Sequence, residues 1–304
     1  MFSYRHAFHA GSPADVLKHA VLLHVADYLQ RKEAPLLAVD THAGAGAYSL
    51  RSDWARQGGE SRQGVLHLLH WLGQGDNTRK APALIRDYAD VLKAFDAEVW
   101  ERLRQDDPSL KPGADLTFYP GSPALLARLL ARRPADRLRL FELHRNEAVA
   151  LAEWTTTSPL PVHRQAMQAG DGFEGLISLL PPPERRALVV MDPSYEDKAD
   201  YDRVIRSLRD ALRRFATGVF VIWHPVLQRL DAQQLPERLQ RLGRPWLHAR
   251  MAVGQRRERG LVASGVFVIN PPYTLEPALR EALPVLSQVM QQDSQGSWEL
   301  DVGG

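Results

Sequence analysis

The stretch 34–48, APLLAVDTHAGAGAY, decides the fold class. Its apolar run is entered through Pro35, ends on Asp40 and leaves through a turn containing Gly44 and Gly46. That pattern predicts a buried strand and the loop after it. Glycine tolerates close contact and positive φ, so Gly44 is a candidate ligand contact. The loop lacks the full G-x-G-x-x-G dinucleotide fingerprint. The acid ending a later strand, Glu142, also comes far beyond the roughly twenty residues of a simple ribose-binding unit. Taken alone, the loop is weak evidence, and an ordinary strand-to-helix turn is the alternative reading.

Upstream, Ser12-Pro13-Ala14-Asp15 predicts a helix start, with a Ser cap, Pro in the first turn and an acid at the third position. The helix should reach about Lys32, with Lys18 and His19 beside its apolar face. Downstream, strands are expected at LTFYP, RLRLFE, within PVHRQAMQAG, and at RRALVVMD, GVFVIWHP and SGVFVINPPY, with helical segments between them. Such alternation predicts an α/β fold with a doubly wound, mainly parallel sheet and ligands beyond the C-terminal strand ends. Asp40, Glu142, Asp171 and Asp192 all fall at such ends or in the loops after them. Residues 52–111 change character to Trp, Gln, Arg and Leu at helical spacing, which predicts an inserted helical subdomain. The expected organisation is a discontinuous core of 1–51 and 112–290, the insertion 52–111, and a loosely ordered tail 291–304.

With 304 residues, 44% of them hydrophobic, the chain can build a substantial core. It has no cysteine, which excludes disulfides, thiolate metal sites and cysteine nucleophiles and fits a reducing compartment. No apolar stretch is long enough for a membrane span. The opening MFSYRHAFHAGSPADVLKH has the features of neither a secretory signal nor a transit peptide, so a cytoplasmic location is expected. The 38 basic and 36 acidic residues give a formal charge of +2. A polyanion would therefore be met by a local patch. The candidates are the N-terminal segment and Arg250 to Arg259, the latter reading almost equally as a solvated loop. His6, His9, His19 and His24 lack carboxylates at ligand-like positions, so no metal is expected.

Glu142 offers two acceptor oxygens, which suits a pair of ribose hydroxyls. Asp171-Gly172-Phe173 could accept from an adenine amino group while Phe packs nearby, although the triplet is also common in plain turns. Asp192-Pro193-Ser194-Tyr195 carries the most chemistry. An exocyclic amine conjugated to a base is a poor nucleophile, and the Asp192 carboxylate with the Pro193 carbonyl can hold its two hydrogens. Tyr195 could then stack on the base, worth roughly 1–3 kcal/mol. A strand-ending turn is the alternative reading, because Asp-Pro favours one.

DPSY resembles the [DN]-P-P-[YFW] motif of S-adenosylmethionine-dependent amino-methyltransferases, and DTHAGAG resembles their glycine loop. The ordered set SYRHAFHAG, ADVLKH, DTHAGAG, YPGSP, ELH, DGF, RFATG and ASGVFVINPP spans nearly the whole chain. It resembles the RlmJ family of 23S ribosomal RNA adenine-N6 methyltransferases. The resemblance implies a Rossmann-like class I methyltransferase core with a small helical insertion, using S-adenosylmethionine and releasing S-adenosylhomocysteine. The implied product is N6-methyladenosine at adenine 2030 of 23S ribosomal RNA, made by direct in-line transfer. The expected substrate is protein-free RNA or an early assembly intermediate, and the expected enzyme is a monomer. His19, His42, Ser122, Glu142, Asp171 and Gly172 are implied cofactor contacts, with Lys18 close by. Asp192 is the implied catalytic acceptor near the sulfonium, and Tyr4 and His6 are implied to face the target nucleotide.

One departure stands out. The family has a second proline where this chain has Ser194, so the turn either loses stiffness, with reduced activity, or is held by a Ser194 side-chain hydrogen bond. A competing motif, Asn270-Pro271-Pro272-Tyr273, matches the general pattern better but follows what reads as the last strand. Three rival readings remain open on sequence grounds. A DNA adenine methyltransferase normally carries a larger recognition domain, and a nicotinamide oxidoreductase needs the missing fingerprint. A catalytically impaired RNA-binding protein would bind cofactor without turnover.

Overall fold

The computed structural model describes residues 6–254 and 261–304. In chain order its strands are β1 (Leu37–Asp40), β2 (Ala47–Ser49), β3 (Phe118–Pro120), β4 (Arg137–Glu142) and β5 (Gln165–Ala169). These are followed by β6 (Ala187–Met191), β7 (Val219–Pro225), β8 (Trp246–Ala252), β9 (Ala263–Ile269) and β10 (Ser297–Gly303). The helices are α1 (Pro13–Gln30), α2 (Asp53–Gly58), α3 (Val65–Leu72), α4 (Asn77–Lys80), α5 (Ala83–Asp106) and α6 (Ser122–Leu130). After them come α7 (Arg145–Thr157), α8 (Gly172–Ser178), α9 (Ala199–Arg214), α10 (Leu230–Gln240) and α11 (Leu275–Met290).

One eight-stranded sheet runs β10-β8-β9-β7-β6-β1-β4-β5, and β2 pairs with β3 beside it. The strands from β5 to β7 are mutually parallel, while β9 is antiparallel to both β7 and β8. This is the expected Rossmann-like class I methyltransferase arrangement. Strands covered on both faces read as continuous apolar runs, which is why LAVD and ALVVM are buried throughout. Successive side chains still alternate between two cores. Leu188 and Val190 join the cluster containing α1, α6 and α11; Val189 and Met191 join the one beneath α8, α9 and α10.

Helices α2 to α5 lie within residues 52–111. Its apolar side chains Val65, Leu68, Ile85, Tyr88 and Leu92 belong to the same cluster as Val21 of α1 and Leu283 of α11. The insertion thus thickens one face of the sheet.

The tail corrects the sequence expectation. Residues 297–303 form β10, antiparallel to β8 with Glu299 opposite Arg250. Its alternation Trp298, Leu300, Val302 is diluted by acids on the other face, and most of the strand is exposed, so no apolar run announces it. Sequence reading also missed β8. Arg250, placed in a basic loop, lies in β8 and is ion-paired with Glu299 and with Asp301 at 2.8 Å. Charges so committed are not free for a polyanion.

Strand direction places the competing motif away from the C-terminal ends of the parallel strands. Because β9 is antiparallel, Asn270 emerges at the edge where the parallel strands begin. Its amide donates to Ala216 O at 2.9 Å and Gly218 O at 2.7 Å, just ahead of β7. Asp192 follows β6 at the opposite edge.

Candidate active site

The N-terminus of α1 delivers the first site residues. Ser12 accepts from Asp15 N at 3.2 Å, and Asp15 Oδ2 accepts from Gly11 N at 3.0 Å. The acid therefore closes the cap one residue earlier than a standard capping box does. The other Asp15 oxygen lies 2.8 Å from the Lys18 ammonium, which also meets Asp192 Oδ2 at 2.6 Å. Burial alone would lower the Lys18 pKa, but Asp15 and Asp192 together hold it above its ordinary value. An ammonium between two carboxylates stays charged and leaves the trio one negative charge in excess.

Beyond the C-terminal ends of β1, β4 and β6 opens a cleft of about 990 Å³. Its walls include Lys18, His19, His42, Gly44, Ser122 and Glu142, together with Asp192 and Pro193. Gly44 has φ +59, and a Cβ there would lie 2.3 Å from the Tyr48 hydroxyl; the turn needs glycine. Its N–H donates to Glu142 Oε2 at 2.7 Å, and His144 N–H donates to Oε1 at 2.7 Å. Burial pushes the Glu142 carboxyl up, opposed by these two N–H groups. Beside it, Leu143 is 56% exposed into the cleft, an apolar platform with no charge pattern to signal it.

Asp40 is fully buried at the root of the cleft. Burial pushes its carboxyl up to about 6, against bonds from Ser122 and from His42 N. Desolvation pushes the His42 imidazole down to about 4, so it is neutral at physiological pH; its ring packs edge-on to Phe173 at 4.7 Å. His19 is buried, with Nδ1 bonded to the Tyr119 hydroxyl at 2.8 Å.

Asp171 and Gly172 stand behind the lining of the cleft. Asp171 caps α8, its Oδ1 accepting from Phe173 N at 2.9 Å, and its Oδ2 pairs with Arg203 of α9. Arg203 lines the cleft and lies 4.5 Å over the Phe173 ring. A Cβ on Gly172 would come within 1.9 Å of Thr41 O, so this glycine lets α8 approach the β1 loop. Arg203 was invisible in sequence: it is one arginine among several on α9, distinguished only by what faces it.

A second cavity, about 800 Å³, adjoins the first and shares Lys18, Asp192 and Ser194 with it. Its other walls include Trp223, Pro225, Leu227 and the pair His9–Glu60, whose Nδ1–Oε1 distance is 3.0 Å. Tyr195, expected as a stacking platform, is 3% exposed. Its φ of +54 turns the side chain inward, where the hydroxyl donates to Trp223 O at 2.8 Å and the ring packs 4.6 Å from that of Tyr201. Ser194 Oγ accepts from Glu196 N at 3.4 Å, so a side-chain bond stands where a second proline would stiffen the turn. Tyr4, the His6 side chain and Arg256 to Arg259 lie outside the described residues. Among the described residues no group of three or more His, Asp or Glu side chains could hold a metal ion, and no helix is long and apolar enough to cross a membrane.

Known proteins resemble this chain over nearly its whole length. The family model described as "Ribosomal RNA large subunit methyltransferase D, RlmJ" matches residues 33–302. "Ribosomal RNA large subunit methyltransferase J" of Haemophilus influenzae is 36% identical over 303 residues, covering 99% of this chain and 98% of the relative. The Escherichia coli K12 protein of the same name is 39% identical over 289 residues, covering 94% and 93%. The crystal structure of a Legionella pneumophila protein superposes with a TM-score of 0.80 at 29% identity, over 97% of this chain and 99% of that one. Matched by the family model over residues 33–302 and by two relatives over nearly its whole length, the chain belongs to the RlmJ family of ribosomal RNA large-subunit methyltransferases.

Proposed function

We propose that this chain methylates N6 of an adenine in 23S ribosomal RNA, at adenine 2030, with S-adenosylmethionine as donor and S-adenosylhomocysteine as product. One observation carries the reading: Asp192, held by Lys18, stands where two cavities meet. Direct in-line transfer between two substrates needs such a shared wall.

The residues of the first cleft fit the cofactor. Glu142 and the exposed Leu143 suit the ribose and the adenine ring, and the Gly44 turn brings bare backbone to the cleft wall. Ser122 and His19 would meet the amino-acid end, beside Lys18 and Asp192. When bound, the group supplies an electrophilic methyl on a sulfonium.

The second cavity suits the target base. A base amine is far too weak an acid to be deprotonated first, so Asp192 and the Pro193 carbonyl hold its two N–H bonds and favour the lone pair leaving conjugation. As the nitrogen–methyl bond forms, the nitrogen gains positive charge, and the excess negative charge of Asp15, Lys18 and Asp192 stabilises it. Asp192 then takes one proton. The base must leave its stack at a cost of a few kcal/mol, which an unpaired adenine in a structured RNA loop largely escapes.

The test is methyl transfer from labelled S-adenosylmethionine to protein-free 23S ribosomal RNA from cells lacking this protein. Label in N6-methyladenosine, lost with Asp192→Ala and kept with Asn270→Ala, is expected. A folded, cofactor-binding wild type that transfers nothing would overturn the reading in favour of another substrate or an inactive RNA binder.

A further inference from the structure

A line of hydrogen bonds runs from the inserted segment to the cofactor cleft. The hydroxyls of Tyr88 in α5 and Tyr119 in β3 lie 2.8 Å apart, and the Tyr119 hydroxyl lies 2.8 Å from His19 Nδ1. All three side chains are fully buried. His19 lines the cleft next to Lys18, so Tyr88 is joined to the cleft without touching it.

The direction of the line follows from its hydrogens. If Tyr88 donates to Tyr119 and Tyr119 donates to Nδ1, both hydroxyl hydrogens have acceptors and the ring proton sits on Nε2. In the reverse direction Nδ1–H donates to Tyr119 and Tyr119 to Tyr88. The Tyr88 hydrogen then has nowhere to go, because Tyr119 is its one hydrogen-bond partner among the described residues. A protonated imidazole meets the same obstacle. In the first direction the remaining donor is Nε2–H, on a ring that lines the cleft, where a bound carboxylate can accept it; because buried donors left unmet are disfavoured, the loaded site selects the first direction.

We infer that Tyr119, oriented by Tyr88, is a positioning residue that fixes His19 as its Nε2–H tautomer, a donor for the carboxylate at the amino-acid end of S-adenosylmethionine. The inference rests on the cofactor reading above. It assigns the carboxylate to His19 because Lys18, its neighbour in the chain, is committed to Asp15 and Asp192. Through Tyr88 the inserted helix also gains a part in cofactor binding.

The test combines 15N NMR of the histidine rings, with His19 assigned through His19→Gln, and two ligands: S-adenosylhomocysteine, and 5′-methylthioadenosine, which lacks the amino-acid arm. Wild type should show His19 protonated on Nε2. Tyr119→Phe should weaken S-adenosylhomocysteine about tenfold and leave 5′-methylthioadenosine within about twofold. An Nδ1–H or cationic His19 overturns the inference, as does equal weakening of both ligands, which would mark general loosening. If wild type binds neither ligand, the cofactor reading itself fails and the inference with it.

Discussion

The Lys18 ammonium lies 2.6 Å from the Asp192 carboxylate, with the two side chains only 4% and 13% exposed. An ion pair so sheltered is screened little by salt, and with Asp15 on its other side the ammonium cannot fully neutralise its partners. The site is therefore built in advance for positive charge developing on a third group.

Removing either partner should separate chemistry from folding. Lys18→Met leaves two carboxylates facing each other without a cation. It is expected to cost about 3–5 kcal/mol of stability and to abolish transfer. Asp192→Asn keeps the shape of the site and should slow the single-turnover rate by about 10²–10⁴-fold, with cofactor affinity within about threefold. Urea unfolding and rapid-quench methylation measure the two effects; full activity in Asp192→Asn would contradict the mechanism.

Asn270 should matter to the fold alone. With φ +53 and an amide donating to two carbonyls, Asn270→Ala is expected to cost about 1–3 kcal/mol and to leave the transfer rate per folded molecule unchanged. A slowed single-turnover rate in the folded fraction would tell against the strand-direction argument.

Arg203 lines the cleft, pairs with Asp171 and lies over Phe173; under the proposed function these groups serve the adenosine of the cofactor. Arg203→Met is expected to weaken S-adenosylhomocysteine and 5′-methylthioadenosine alike, by about tenfold, without changing KM for RNA. Calorimetry on both ligands reads this directly, and a loss confined to S-adenosylhomocysteine would place Arg203 at the other end.

Stability should fall as pH is lowered from 6.5 towards 4. Burial pushes His42 down from 6.5 to about 4, and it also lowers His224 and His248, whose Nε2 atoms lie 2.9 Å apart. In this window the unfolded chain takes up protons on these groups that the folded protein excludes. Asp40, raised from 3.8 to about 6, acts in the opposite sense, as do the raised Glu142, Asp200 and His9, while the lowered His24 adds to the fall. The desolvated His42 and the deeply buried His224–His248 pair carry the expected fall. Urea midpoints at pH 7 and pH 5 measure the slope, and His248→Gln should make it shallower. An unchanged slope would show that the pair does not exclude protons.

What could be read in the chain follows from the reach of each signal. Strands β1 and β6, the cap of α1 and the acids at strand ends were legible because local apolar runs, turn residues and capping chemistry announce them. Strands β8 and β10 were not, since β10 is an exposed edge whose pairing is set by Arg250 reaching Glu299 and Asp301. By itself the sequence determined an α/β chain with a helical insertion and its informative acids at one sheet edge, because hydrophobic periodicity is a local property. Only the tertiary structure decided that Asp192 rather than Asn270 faces the cleft, that Tyr195 is packed inside, that Arg203 lines the cleft and that Tyr119 stands behind His19. Those facts depend on strand direction and on contacts between residues far apart in the chain, which no local pattern encodes.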